Sequence, residues 1–183
     1  QHSVATQLSM LIPHHSLALN ILVCSADQVL FEKQLYKYSQ TVKKKKNYLS
    51  DTEELARLAL NLSITLSYIG NYELAAEKGK QALEIYQQLA EQSPDKYQPD
   101  YASSLNNYAN RLSAIGDNKQ AAEKSKQALE IYQQLTKENP DKYQSNYAMS
   151  LSSHASHLSD LGDSKQEGEK AKQALEIYQQ LTE

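Results

Sequence analysis

His154 and His157 stand three residues apart in "LSSHASHLSD". On a helix that spacing sets both imidazoles on neighbouring parts of one face, where they could share a metal ion. No carboxylate or cysteine is placed by the sequence to complete such a site. His154 also falls where two copies of the same pattern carry Leu62 and Tyr108. The pair therefore reads as packing rather than ligation, and no metal or other cofactor is expected. His14 and His15 follow Pro13 at a predicted helix start and read the same way. Lys43 to Lys46 form "KKKK", which would suit phosphate, but the run ends a predicted helix, where cations complement the macrodipole. Cys24 is the only cysteine, so an intrachain disulfide and a four-cysteine zinc site are excluded. A reducing, cytoplasmic compartment is the natural reading. The phosphate loop G-x-x-x-x-G-K-[ST], the elbow G-x-S-x-G and the zinc helix H-E-x-x-H do not occur, and no catalytic residue is assigned.

The elements that would position any site are set by repetition. "KQALEIYQQL" begins at Lys80, Lys126 and Lys172, each start 46 residues after the last. Catalysis needs a singular constellation, whereas near-identical copies multiply one environment. With 40% hydrophobic and 22% charged residues among 183, the chain can bury a core. A net charge of −3 excludes a globally basic nucleic-acid binder, and no apolar run reaches the roughly 20 residues that span a bilayer. The sequence begins with Gln1 and lacks a signal-peptide pattern, so it reads as a piece of something longer.

Within each copy the pattern is helical. Ala82, Ile85, Tyr86 and Leu89 fall at i, i+3, i+4 and i+7, one stripe of an α-helix. "GDNKQ" and "GDSKQ" set Gly116 and Gly162 just past one helix and Asp117 and Asp163 at the N-cap of the next. Gln120 and Gln166 complete a capping-box pattern. The longer helix is predicted from about Asn118 to Glu138, ending before Pro140 as its counterpart ends before Pro94. Upstream, Tyr101, Leu105, Tyr108, Ala109, Leu112 and Ile115 share one face, with Asp100 and its counterpart Asn146 as N-caps. In the first copy Ser50 or Asp51 caps. Each repeat thus reads as a shorter helix, a tight turn and a longer helix, and stacking such pairs buries a stripe that one pair cannot bury alone.

Helix pairs so spaced resemble tetratricopeptide repeats in a long variant. When Gly70, Gly116 and Gly162 are set on that family's turn glycine, its small first-helix residue falls on Ser63, Ala109 and Ala155. The family's second-helix alanines fall on Ala75, Ala121 and Glu167, and on Ala82, Ala128 and Ala174. Glu167, followed by Gly168, departs from the pattern. The extension through "EIYQQL" resembles the repeats of kinesin light chains and of many bacterial signalling proteins. The resemblance implies an all-α, right-handed α-solenoid of stacked antiparallel helix pairs. It divides the chain into an N-terminal helical segment over 1–47, read as a degenerate capping repeat with the tail of a preceding domain as the alternative, and repeats over 48–94, 95–140 and 141–183. In the first of these segments, Ser25 and Gln28 would open a helix that runs to the lysines.

In this family the first helices line a concave face that holds peptides or partner segments. The positions carried over are Arg57, Asn61, Ile64 and Tyr68; Ser103, Asn106, Asn107 and Asn110; and Ser153 and Ser156, with Leu60, Ser67, Ser113, Met149, Ser152, Ser159 and Asp160 beside them. The mix is neutral and rich in Asn and Ser, suited to a peptide backbone. Only Arg57 could serve a clamp for a terminal carboxylate, so that mode is not expected. The expected function is a non-catalytic protein-interaction module. The alternative is a sensor or regulatory arm of a larger signalling NTPase or protease, with its chemistry outside this sequence. The partner is a protein or peptide rather than nucleic acid or membrane. Tyr86, Tyr132 and Tyr178 are expected to pack between successive helices. The stripe of Ala174, Ile177, Tyr178 and Leu181 is expected to be partly unsatisfied, so that the end self-associates or further repeats follow.

Overall fold

In the computed structural model, residues 24–34, 36 and 48–182 are described. His14, His15, Pro13, Lys43 to Lys46 and most of the segment read as a capping repeat lie outside them. The described residues are helical with no strand. A helix over residues 24–34 (α1) is followed by Tyr48–Tyr68 (α2), Tyr72–Gln92 (α3), Pro94–Ala114 (α4), Asn118–Glu138 (α5), Pro140–Asp160 (α6) and Ser164–Thr182 (α7). The chain divides into two compact units, Gln1–Leu89 and Ala90–Glu183.

The turn glycines behave as their spacing predicts. Gly70, Gly116 and Gly162 have φ of 81°, 84° and 78°, the left-handed region that costs glycine least. Around Gly116 the amide of Asp117 donates to Leu112 O at 2.9 Å and that of Gly116 to Ser113 O at 2.9 Å. This pair of bonds is a Schellman motif, and it satisfies carbonyls that the end of α4 would leave unpaired. The same two bonds recur at Gly70 and Gly162. Asp117 then caps α5, accepting from Gln120 N at 3.2 Å. The Gln120 amide bonds the Asp117 carboxylate rather than the backbone N–H of a full capping box.

The other helix starts differ from the sequence reading. α4 and α6 begin at Pro94 and Pro140, not beside Asp100 and Asn146, so both are 21 residues, the length of α5. Proline fits the first helical position because its φ is preset and its missing N–H would have had no partner there. Asn139 caps α6 by accepting from Lys142 N at 3.2 Å. Pro99 lies inside α4. α2 is already helical at Tyr48, which puts Ser50 and Asp51 in its first turn. Cys24 is helical, so α1 starts ahead of Ser25, and Gln28 donates to Glu32 at 3.3 Å.

In the first unit Cys24 and Phe31 of α1 join Leu55, Ala59, Leu62 and Leu66 of α2 and Ala75 and Ala82 of α3 in one core. Ser63 Oγ donates to Ala75 O at 2.7 Å across the α2–α3 contact, and Thr65 Oγ1 donates to Asp27 Oδ2 at 2.8 Å, tying α1 to α2. Burial raises both the Cys24 thiol and the Asp27 carboxyl above their ordinary values. In the second unit, helices α4 to α7 pack each on the next. Ala109, Ala121 and Ala128 are wholly buried, so α4 and α5 approach closely where the repeats carry small residues. Leu129, Leu151 and Ala174 form a core joining α5, α6 and α7. Among the described residues no helix is long and apolar enough to cross a membrane.

Candidate functional site

α4 turns the side chains at 103, 106, 107 and 110 to one side, at the helical spacing that puts residues on one face. Ser103, Asn106, Asn107 and Asn110 line a cleft of about 130 Å³ with Tyr132 of α5 and Asn146, Met149 and Ser153 of α6. Five of the ten residues expected from the sequence therefore converge here.

Their chemistry is not uniform. Asn106 is committed to structure: its Nδ2 donates to Ser150 Oγ at 3.2 Å, joining α4 to α6. Asn107 Nδ2 donates to Ser103 O at 2.9 Å along its own helix, which leaves its side-chain oxygen as an acceptor. Asn110 is exposed, and none of its side-chain atoms bonds another described residue. At the floor the Tyr132 hydroxyl donates to Pro99 O at 3.1 Å. Burial raises the Tyr132 phenol, and hydrogen bonding with Asn146 and Ser103 opposes that rise. The cleft thus offers uncharged donors and acceptors beside a thioether and a phenol, and no side chain charged at neutral pH lines it. Such a surface can pair with peptide N–H and C=O groups, and it has no nucleophile paired with a base.

The remaining expected residues lie elsewhere. Arg57, Asn61, Ile64 and Tyr68 occupy one face of α2 in the first unit. Arg57 is held by Glu54 through bonds of 3.0 and 2.6 Å, which raise its pKa further. Tyr68 is exposed, and Asn61 and Ile64 are half-buried. Ser156 lines a separate groove between α6 and α7. A larger cleft of about 830 Å³ lies between α4 and α5, with Tyr101, Ile131 and Leu135 in its wall and Asp95, Glu130 and Glu138 at its edge. None of the sequence-predicted residues lines it.

His154 and His157 are both buried. His154 Nδ1 lies 2.9 Å from Ser125 Oγ, which also donates to Ala122 O at 3.0 Å. Burial, with Lys170, His157 and Lys126 nearby, lowers His154 to about 4. Neither ring nitrogen of His157 has a hydrogen-bond partner among the described residues, Asp160 Oδ2 lying 3.8 Å from Nδ1. No group of three metal-ligating side chains occurs among the described residues.

No family model and no curated protein matches the sequence. Solved structures do. A putative kinesin light chain from Podosopora anserina, described as having nearly identical TPR-like repeats, superposes with a TM-score of 0.61 at 20% identity, over 97% of this chain and 83% of that one. A single-residue variant of that protein gives 0.62 at 19% identity, over 98% and 83%. BtubC (BKLC) from P. vanneervenii gives 0.62 at 18% identity, over 91% of this chain, which spans 64% of the BtubC chain. The chain has a tetratricopeptide-type α-solenoid fold. Within that fold, sequence reasoning misses Asn146 and Tyr132 as cleft residues. By pattern Asn146 is a helix cap, and only the start of α6 at Pro140 turns it into a mid-helix residue facing α4. By pattern Tyr132 is a packing residue, and it does pack, but its hydroxyl reaches the cleft floor.

Proposed function

We propose that this chain is a non-catalytic interaction module that holds an extended peptide segment of a protein partner in the cleft between α4 and α6. A tetratricopeptide-type fold points to protein partners in general. The observation that favours this surface is the convergence of Ser103, Asn107, Asn110, Asn146 and Ser153 around one opening. Amide and hydroxyl groups there read backbone rather than charge, so the preferred segment is neutral, with an apolar residue against Met149. Arg57, Asn61, Ile64 and Tyr68 would supply a further contact face from α2. The test is a display library of short unstructured peptides panned on the whole chain. Selected peptides should lose about tenfold in affinity or more when Asn107 and Asn110 are both replaced by alanine. Unchanged affinity would move the site off this surface.

A further inference from the structure

The cleft of about 830 Å³ between α4 and α5 lies within the second unit and shares no residue with the asparagine cleft. Tyr101, Ile131 and Leu135, all half-buried, form its apolar wall. Asp95, Glu130 and Glu138, all exposed, stand at its edge. No lysine, arginine or histidine lines it. Lys126 reaches Glu130 at 4.0 Å from outside the lining, and Lys142 Nζ lies over the Tyr143 ring, 4.9 Å from its centroid. Asp95 and Glu138 make no ion pair with any described residue.

Repetition does not account for these acids. One repeat earlier, the positions of Asp95, Glu130 and Glu138 hold Leu49, Glu84 and Gln92, so two of the three carboxylates are absent there. Asp95 is in the first turn of α4, where an acid favours the helix. Glu138 is the last residue of α5, at the negative end of that helix, where a carboxylate is disfavoured. Helix stability therefore does not explain it. One repeat later, Gln144 Nε2 donates to Gln180 Oε1 at 3.4 Å, bridging α6 and α7. The same positions in this copy are Gln98 and Gln134. Here Gln134 Nε2 donates instead to Glu138 Oε1 at 2.9 Å, and both glutamines line the open cleft.

The volume suits a small-molecule ligand, and the chemistry narrows its class. An anion would meet three carboxylates and no lining cation. Among the described residues no three ligating side chains converge for a metal ion, so the acids would meet separate parts of a larger cation. We infer that this cleft binds an amphipathic organic amine, with its apolar body against Tyr101, Ile131 and Leu135 and its ammonium group toward the acidic edge. A neutral ligand of the same shape gains the wall alone, so the carboxylates supply the selectivity.

The probe is dansylcadaverine, an aromatic body carrying one primary ammonium, titrated into the whole chain at about 0.15 M salt and followed by its emission. It should bind at least about threefold more tightly than its uncharged N-acetyl form. D95N/E130Q/E138Q, with the circular dichroism of the wild type, should erase that preference. Gln98→Lys, which sets a cation in the cleft, should weaken the amine by about threefold or more. Leu175→Gln and N107A/N110A, at other openings, should leave its affinity unchanged. Capped tetralysine, which has charge without an apolar body, should displace the amine less well than phenylbutylamine does. The proposal is overturned by absence of binding, by a preference that survives the triple substitution, or by an affinity that Gln98→Lys leaves unchanged. Loss of binding in Leu175→Gln or N107A/N110A would also overturn it, by placing the amine elsewhere. Stronger displacement by tetralysine would overturn it in favour of a basic protein segment.

Discussion

Ser125 Oγ lies 2.9 Å from His154 Nδ1, a buried polar tie between α5 and α6 in a seam that also holds Ala121, Ala128 and Leu129. It occurs in one copy alone, since the positions of Ser125 carry Gly79 and Ala171 elsewhere and those of His154 carry Leu62 and Tyr108. The imidazole sits where charge is costly, because it is buried and the charges of Lys170, His157 and Lys126 oppose its protonation.

Acid should therefore unfold the second unit through this residue. His154 protonates near 4 when folded, against about 6.5 when unfolded. Between those values the unfolded chain binds more protons, so stability is complete above about pH 6.5, falls as pH drops, and stops falling on this account below about 4. The loss is about 3 kcal/mol. His157, also lowered by burial but opposed by Asp160, adds in the same direction. Urea unfolding should show His154→Leu, the residue of the first copy, with a much shallower decline over this window than the wild type. Equal slopes would remove His154 as the cause.

Gly116→Ala should destabilise by about 1–2 kcal/mol, because an L-residue is strained at its φ of 84°. Steric crowding plays no part, as an added Cβ would meet nothing within 4 Å. D-alanine at 116, introduced by chemical ligation, should recover or exceed wild-type stability in thermal melts. If both enantiomers destabilise equally, backbone handedness is not the cause.

The turns and the end of α5 were legible because each follows from local chemistry: glycine at positive φ, aspartate at an N-cap, proline after a stop. The starts of α4 and α6 were not, because Asp100 and Asn146 are good cap residues and by pattern compete with starts capped by Ser93 and Asn139 ahead of Pro94 and Pro140. Proline at the first helical position won, and two further turns of helix followed. That shift moved Asn146 into the cleft. The faces of the first helices were readable from spacing, which placed Ser103, Asn107 and Asn110 together. Which asparagine is free to bind and which is tied to another helix depended on contacts across 44 residues, such as Asn106 to Ser150, and no local pattern encodes those.

Alanine size should matter only where a helix covers it. Ala128 is wholly buried, so Ala128→Leu should cost about 1–3 kcal/mol through overpacking. Ala171, which lines the open α6–α7 groove and is exposed, should accept leucine within about 0.5 kcal/mol. Matched thermal melts of the two variants decide this, and equal destabilisation would contradict the assigned packing faces.

Tyr132→Phe and Tyr178→Phe remove the same hydroxyl from equivalent positions. The Tyr132 hydroxyl is held by Pro99 O at 3.1 Å in a buried setting, so its loss should cost about 1 kcal/mol. Tyr178 is exposed, and its change should fall within about 0.5 kcal/mol. Chemical denaturation that ranks them the other way would contradict the buried bond.

Asn106 and Asn110 should separate stability from binding. Both face the cleft, one helical turn apart, and the two substitutions delete the same amide. Asn106 spends its donor on Ser150, whose hydroxyl is wholly buried. Asn106→Ala leaves that hydroxyl short of a partner and should lower stability by about 1 kcal/mol. Asn110 is exposed and bonded to no other described side chain. Asn110→Ala should leave the melt within about 0.5 kcal/mol of wild type while weakening a bound peptide by about threefold to tenfold, the value of one neutral hydrogen bond. Thermal melts and peptide titrations on the same two variants give four numbers, and the assignment requires them to cross. If Asn110→Ala loses stability and keeps its peptide, the exposed amide is part of the fold, and the cleft is not where the partner binds.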